Sequence, residues 1–127
     1  MRVNGVIKIN FNINRVKIST TIPTKNVDEV RNAICEAGAG KIGNYTYCSI
    51  ATNCIGTFKP NDEANPYIGE NNKLEFVEEV KLETVCDLKN VKNVVAELRK
   101  AHPYEEPAID IIPLLDENYF NIELLRL

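Results

Sequence analysis

Apolar and polar residues alternate near the start of the chain, and this period of two predicts β-strands. Residues 3–13 alternate in this way, either as a half-buried strand or as an extension outside the fold. Residues 15–22 alternate more regularly and predict the first core strand. The core-facing positions of this strand are Val16, Ile18 and Ile22. Pro23 ends the strand because proline has no backbone N–H to donate.

After Pro23 the apolar positions take the period of a helix. Asn26, followed three residues later by Glu29, matches a capping box and predicts the start of the helix. The apolar face of this helix consists of Val27, Val30, Ile34 and Ala37. Gly38 ends the helix, because glycine adopts the left-handed conformation of a C-terminal cap without steric cost.

Two long runs rich in Tyr, Thr, Ile and Val follow, at residues 44–58 and 74–86, and a turn-rich segment, residues 59–66, joins them. At ~3.3 Å per residue, each run is longer than the ~20 Å of an average strand. We therefore expect part of this hairpin to extend beyond its own domain. An overhanging strand edge favours pairing with another chain.

Three glutamates lie on one face of the second long run, together with Val77 and Lys81. They are Glu75, Glu79 and Glu83. We interpret this face as solvated or as facing another subunit, because a metal site would require a cation on which the carboxylates converge.

A second helix begins after Asp87, which is placed as its N-terminal cap. Its apolar stripe consists of Leu88, Val91, Val94, Val95, Leu98 and Ala101. Arg99 and Lys100 lie at its carboxyl end, where basic side chains interact favourably with the helix dipole. Pro103 predicts that the helix ends near Ala101.

The single histidine of the chain lies in the motif A-H-P-Y-E-E-P-A, residues 101–108. A residue before proline is disfavoured in the α region, so His102 and Glu106 should both be extended. A strand is predicted at residues 108–112. Its core-facing residues are Ile109 and Ile111, and Asp110 points the opposite way.

The carboxyl-terminal segment, residues 114–127, is too apolar for a free tail. We expect it to pack against another protein surface. Its large apolar residues are Tyr119, Phe120, Ile122, Leu124, Leu125 and Leu127.

The order strand, helix, strand, strand, helix, strand is that of an α+β, ferredoxin-like βαββαβ sandwich with a long hairpin between its second and third strands. We assign this domain to residues 15–113. Residues 1–14 form an N-terminal extension that could add a strand, and residues 114–127 form a C-terminal docking segment.

Composition narrows the function classes. The net charge is −3 and the basic residues are scattered, which disfavours nucleic-acid binding. No apolar run approaches the ~18 residues of a membrane span, and the N-terminus lacks a signal core, so we expect a cytoplasmic protein. The four cysteines form no C-x-x-C pair, and we expect them to be reduced and mostly buried.

Residues 38–43, G-A-G-K-I-G, match the pattern G-x-G-x-x-G. They follow a helix and precede a strand, which is the reverse of the dinucleotide-binding context. Two interpretations remain: a flexible helix-to-strand turn, or a cradle of backbone amides for an anion, assisted by Lys41.

Four ordered motifs resemble one known domain. They are G-A-G-K-I-G-N-Y-T-Y-C-S from residue 38, G-T-F-K-P from residue 56, A-N-P-Y-I-G from residue 64 and A-H-P-Y-E-E-P-A from residue 101. Together they resemble the CutA-like, PII-like domain that is inserted in the Nif-three-like (YqfO) dinuclear-metal proteins and also occurs alone. The resemblance covers residues 15–113.

The resemblance implies a ferredoxin-like domain that assembles as a trimer through long hairpins. The stretch H-P-Y-E-x-P also resembles the motif of CutA, the divalent-cation tolerance protein. The dinuclear site of the larger relatives uses several histidines, whereas this chain has one. We therefore expect the standalone form, without the dinuclear-metal domain and without its hydrolase activity.

The leading hypothesis is a non-catalytic homotrimeric module, regulatory or ligand-sensing, that binds a small molecule or a protein partner in clefts between subunits. The candidate contacts are Gly38, Gly40, Lys41, Gly43, Tyr45, His102, Tyr104, Glu105 and Glu106. The four contacts in the motif A-H-P-Y-E-E-P-A also have explanations without a ligand. His102 would bond a nearby carbonyl at the helix end, and Tyr104 would pack in an interface. The two glutamates would accept hydrogen bonds from loop amides.

The alternative is a divalent-metal protein resembling CutA. Its ligands would be His102, with Glu106 or Glu105 and with Cys48 or Cys54. This donor set suits zinc or copper if subunits pool their ligands. A third possibility, an enzyme in which His102 and a carboxylate act as an acid–base pair, requires a pocket and hydrogen-bond geometry that spacing does not give.

Overall fold

A four-stranded antiparallel sheet with two helices on one face forms the body of the protein, in a computed structural model that describes residues 2–3, 5–7 and 12–120. The strands are β1 (Arg2–Val3), β2 (Val6–Ile7), β3 (Arg15–Pro23), β4 (Ser49–Phe58), β5 (Glu75–Asp87) and β6 (Ile109–Leu114), and the helices are α1 (Val27–Glu36) and α2 (Val91–Ala101). Strands β3 to β6 with α1 and α2 give the predicted βαββαβ order.

The main sheet has the strand order β4-β5-β3-β6, and all neighbouring strands are antiparallel. This is the ferredoxin-like arrangement expected from the sequence. The two helices pack on each other and on the face of the sheet that carries the even-numbered residues of β3 and β5. The core residues that are buried between the layers include Val16, Ile18, Ile22, Val30, Ile34, Val80, Leu82, Val94 and Leu98.

The hairpin of β4 and β5 extends beyond β3, as predicted. Strand β3 ends where Pro23 pairs with Glu79, but β4 and β5 continue to pair as far as Phe58 and Glu75. At ~3.3 Å per residue, this four-residue overhang is ~13 Å long. It carries exposed apolar side chains, among them Ile55 and Phe76, which are 69% and 68% exposed.

Strand β4 begins at Ser49, five residues later than the sequence predicted. A tight turn precedes it, in which Ile42 and Tyr45 exchange two backbone hydrogen bonds of 3.0 and 2.9 Å. Gly43 and Tyr47 have φ of 57° and 58°, a left-handed conformation that is incompatible with a continuous strand.

The N-terminal segment does not form the single strand predicted for residues 3–13. Gly5 has φ of 77° and turns the chain, so that Arg2–Val3 pairs with Val6–Ile7 as a separate two-stranded sheet. Residues 4 and 8–11 of the predicted strand lie outside the described residues.

Neither predicted helix cap forms as expected. A 3-10 turn precedes each helix, Thr24–Asn26 before α1 and Leu88–Asn90 before α2. Asn26 has φ of −103° and ψ of 2°, so its side chain does not reach the helix N-terminus, and its Oδ1 is buried without a partner among the described residues. Asp87 lies one turn too early to cap α2, and Leu88 is 53% exposed instead of joining the apolar stripe.

The last strand runs further than predicted. Strand β6 lies at the sheet edge and continues through Pro113 to Leu114, since an edge strand needs no ladder donor on its outer side. Ile109 packs against the core, as predicted. Ile111 lies on the same face, opposite Ile18, but is 47% exposed and does not join the core. A 3-10 turn, Glu117–Phe120, follows. Residues 121–127, which are half of the predicted docking segment, lie outside the described residues.

Candidate functional site

A cavity of about 410 Å³ lies at the end of the sheet where β3 ends. Its walls come from the connection between β4 and β5 and from the loop after α2. The residues that line it include Thr21, Phe58, Lys59, Ala64, Tyr67, Glu79, Tyr104, Glu105 and Glu106.

His102 positions the loop after α2. Its backbone N–H closes the helix on Leu98 O at 2.9 Å, and its extended conformation, φ −73° and ψ 133°, is the one that Pro103 imposes. The buried imidazole Nε2 lies 2.8 Å from Thr21 O, and Nδ1 accepts the N–H of Tyr104 at 3.1 Å. Because Nδ1 is an acceptor, Nε2 carries the proton and donates to Thr21. His102 thus bonds a carbonyl on a neighbouring strand, not one at its own helix end.

The environment of His102 favours this neutral ring. Burial lowers the pKa of His102 below its ordinary value, although the Thr21 carbonyl and the Glu79 carboxylate act in the opposite direction. His102 therefore joins α2, β3 and the loop as a structural residue.

Tyr104 points from the loop into the cavity. Its phenol donates a hydrogen bond to Glu79 Oε2 at 2.8 Å. Its ring centroid lies 5.9 Å from that of Phe58 and 6.4 Å from that of Tyr67. Burial, followed by the hydrogen bond and the charge of Glu79, raises the pKa of Tyr104 above its ordinary value, so the phenol stays protonated.

Glu79 is a buried carboxylate, although the sequence predicted a solvated or inter-subunit position for it. Only 5% of the residue is exposed. Gly56 makes this position possible, because a side chain there would collide with Glu79 Oε1. Glu83, on the same strand face, has Lys17 Nζ at 3.9 Å and Lys81 Nζ at 4.0 Å, whereas Glu79 has no ion-pair partner among the described residues.

Glu105 ties the two walls of the cavity together. Its Oε1 accepts the backbone N–H of Asn65 at 2.9 Å, which is the loop-amide contact expected for this residue. Close to the same wall, Lys25 Nζ lies 5.6 Å from the ring centroid of Tyr67. Glu106 is exposed at the cavity wall.

The glycine loop lies at the opposite end of the sheet. Gly40 N–H donates to Val85 O at 2.8 Å, and Val85 pairs with Lys17, four residues along β3 from Thr21. This separation is ~13 Å along the strand, so one chain does not bring Gly38, Gly40, Lys41, Gly43 and Tyr45 together with the loop of His102.

Four of the six backbone N–H groups of this loop, residues 38–43, have partners in the chain. Those of Gly38, Ala39, Gly40 and Ile42 donate to carbonyl oxygens of the chain. They are therefore committed to the turn and not available to an anion. Lys41 and Tyr45 are exposed at its surface.

Three of the candidate metal ligands do not converge within the chain. Cys48 lies beside the glycine loop, where its backbone N–H donates to Gly40 O. Both ring nitrogens of His102 form hydrogen bonds with backbone groups, and Glu106 is exposed. Within the described residues, no group of three or more His, Cys, Asp or Glu side chains is arranged to hold a metal ion. Within one chain, His102, Glu106 and Cys48 therefore do not form a shared site.

All four cysteines are free thiols, but they are less buried than expected. Only Cys86 is fully buried, and burial raises its pKa to about 11. Cys35 is partly buried, and burial also raises its pKa.

The sequence alone did not single out three residues of the cavity: Phe58, Tyr67 and Glu79. Phe58 and Tyr67 belong to motifs that carried the resemblance, G-T-F-K-P and A-N-P-Y-I-G, and this was a usable signal. No comparable signal marked Glu79, because Glu75 and Glu83 lie on the same strand face and nothing in the sequence distinguishes the three.

Comparison with known proteins places this domain among its relatives. No family model matches the chain. A curated protein of Halalkalibacterium halodurans, named GTP cyclohydrolase 1 type 2 homolog, is 48% identical over 101 residues, which are 80% of this chain and 27% of that protein. The crystal structure of a Bacillus cereus protein related to NIF3 superposes with a TM-score of 0.71 at 36% identity, covering 84% of this chain and 27% of that one.

The chain is thus similar to one segment of these NIF3-related proteins. It spans about a quarter of the length of the curated relatives that it matches. The divalent ion tolerance protein CutA1 of Ehrlichia chaffeensis has the same fold, with a TM-score of 0.58 and 18% identity. The match covers 90% of this chain and 91% of that one. None of the helices in the described part of this chain is long and apolar enough to cross a membrane.

Proposed function

We propose that this chain is a non-catalytic, homotrimeric binding module, and that its ligand or partner occupies the cavity beside Tyr104. The observation that carries the proposal is the cavity itself. Its volume of about 410 Å³ falls in the ~300–1,000 Å³ range of small-molecule sites, and it combines aromatic walls with a few polar groups.

Binding is favoured over catalysis because of the state of His102. An acid–base residue must present a ring nitrogen to its substrate. Both nitrogens of His102 are engaged, one with Thr21 O and one with the N–H of Tyr104. Burial also lowers its pKa, which disfavours the protonated form that a general acid needs.

The trimer is part of the proposal because of the overhanging hairpin. Its exposed Ile55 and Phe76 leave apolar surface that a second chain would cover. The family resemblance implies assembly through this same hairpin. In a trimer, the glycine loop of one subunit, with Lys41 and Tyr45, is available to complete the cavity wall of another.

Native mass spectrometry tests both parts of the proposal. The expected result is a mass of three chains with additional bound mass that is lost on denaturation. A variant that fills the cavity, Ala64→Trp, should lose the additional mass and keep the trimer. Ala96→Trp, on the exposed side of α2, is the matched control and should keep both. A monomer, or bound mass that Ala64→Trp does not change, would contradict the proposal.

A further inference from the structure

The buried charge of Glu79 has no counter-charge within the described part of the chain. Placing a carboxylate in a protein interior is costly unless a cation or several hydrogen bonds compensate for the lost water. Glu79 receives one side-chain hydrogen bond, from Tyr104, and lines the cavity. Glu83, which is four residues away and better exposed, has two lysines near it. The cavity therefore has an unmet requirement for positive charge.

The aromatic walls of the cavity are suited to an organic cation, such as a ligand with an ammonium or guanidinium group. Phe58, Tyr67 and Tyr104 place three aromatic rings around it. The face of an aromatic ring attracts ammonium and guanidinium groups. Tyr67 already has such a contact in this structure, because Lys25 Nζ lies 5.6 Å from its centroid.

The charged residues that line the cavity give its walls a net negative charge. Among the described residues that line the cavity, three are acidic and one is basic. They are Glu79, Glu105, Glu106 and Lys59. Such a cavity attracts cations and repels anions.

A bare metal ion fits this cavity less well than an organic cation. A divalent cation needs several oxygen, nitrogen or sulfur ligands within about 2–2.6 Å. No three such side chains converge in the described residues, and the volume of about 410 Å³ leaves room for a ligand with a carbon skeleton.

We propose that the cavity binds a small organic cation, with a primary ammonium or guanidinium group held by the Glu79 carboxylate and the rings of Phe58, Tyr67 and Tyr104. This inference rests on the proposed binding function and adds the chemical class of the ligand.

The test compares three probes of similar shape and different charge: pentylammonium, pentanol and pentanoate. Binding is followed by nuclear magnetic resonance of the full chain, through the signals of the residues that line the cavity. Pentylammonium should bind at least tenfold more tightly than pentanol, and pentanoate should not bind. Agmatine, which carries both an ammonium and a guanidinium group, should bind at least as well as pentylammonium.

Two variants identify the responsible carboxylate. Glu79→Gln keeps the size of the side chain and an acceptor for Tyr104, and it should weaken pentylammonium binding at least tenfold. Glu83→Gln makes the same change on the same strand face outside the cavity, and it should leave binding unchanged. Should Glu79→Gln fail to fold, Tyr104→Phe keeps the ring and the carboxylate, and it should bind pentylammonium at least as tightly as the parent protein.

The two proposals fail in different ways. If pentanol or pentanoate binds in the cavity as tightly as pentylammonium, the cation inference is overturned and the binding function stands. The same holds if a metal ion, added as zinc chloride, occupies the cavity and excludes pentylammonium. If Ala64→Trp does not change the bound mass of the native protein, the binding function itself is overturned, and the cation inference with it.

Discussion

Gly56 and Glu79 lie diagonally across the pair of strands β4 and β5, and the Glu79 carboxylate occupies the space that a side chain at position 56 would need. The missing side chain on one strand is thus what allows a buried charge on the next. The same carboxylate accepts a hydrogen bond from the phenol of Tyr104, 25 residues further along the chain.

Replacing Gly56 with alanine should break the bond between Glu79 and Tyr104. The new methyl group would displace the carboxylate, and a lost hydrogen bond to a charged group costs about 1.5–3 kcal/mol of unfolding free energy. Urea denaturation of Gly56→Ala, alone and combined with Tyr104→Phe, checks this. The alanine should cost clearly less in the Tyr104→Phe protein, where the bond is already absent. Equal costs in both backgrounds would contradict the coupling.

Stability should fall below neutral pH because of the buried imidazole. Burial lowers the pKa of His102 in the folded protein, so between that value and about 6.5 the unfolded chain binds more protons than the folded one. The contribution of the neutral ring is therefore complete above about pH 6.5 and is lost as the pH falls towards the folded-state pKa.

The chain has one histidine, so this titration can be isolated. Unfolding free energies of the parent and of His102→Gln, measured in urea from pH 7.5 to 5, should diverge in slope below about pH 6.5, with the parent the steeper. Parallel pH profiles would show that His102 does not titrate differently on folding.

Gly40 and Gly43 should differ in their tolerance of alanine. Both have positive φ, 78° and 57°, so each alanine incurs about 1–2 kcal/mol of backbone strain. A side chain at position 40 would also lie 3.0 Å from the backbone N and O of Cys48, whereas nothing lies within 4 Å at position 43. Gly40→Ala should therefore cost about 1–3 kcal/mol more unfolding free energy than Gly43→Ala. Similar thermal denaturation midpoints for the two variants would argue against this crowding.

In the proposed trimer, a charge on the overhanging hairpin should separate the subunits without unfolding them. Phe76 is 68% exposed in the single chain, so Phe76→Lys should change the stability of the monomer by less than about 0.5 kcal/mol. Light scattering after size-exclusion chromatography should then give the mass of one chain. Leu88→Lys, 53% exposed beside α2, is the control and should remain trimeric. A trimeric Phe76→Lys protein would place the interface elsewhere.

Local patterns in the sequence were sufficient to predict the order of strands and helices in the fold. Val16, Ile18 and Ile22 alternate on one strand face, and Val94 and Leu98 share a helix face, because burial imposes these periods directly. The caps were mispredicted because a 3-10 turn before each helix moves Asn26 and Asp87 out of capping geometry.

The candidate site was predicted only in part. His102, Tyr104 and Glu105 stood out because prolines and a single histidine mark their loop. Glu79 did not, because its burial depends on contacts with Gly56 and Tyr104 that are distant in sequence. The sequence also placed the glycine loop with the His102 motif in a cleft between subunits. In one chain the two lie at opposite ends of the sheet, so this part stays a prediction about the assembly.

Tyr104 contacts two buried titratable groups at once, because its backbone N–H donates to His102 and its phenol donates to Glu79. A displacement of this one residue would break both hydrogen bonds together. Through these two bonds, the position of Tyr104 links the Glu79 wall of the cavity to the imidazole at the end of α2. The loop after α2 thus joins the cavity wall to the contact between His102 and Thr21 that fastens the helix end to the sheet.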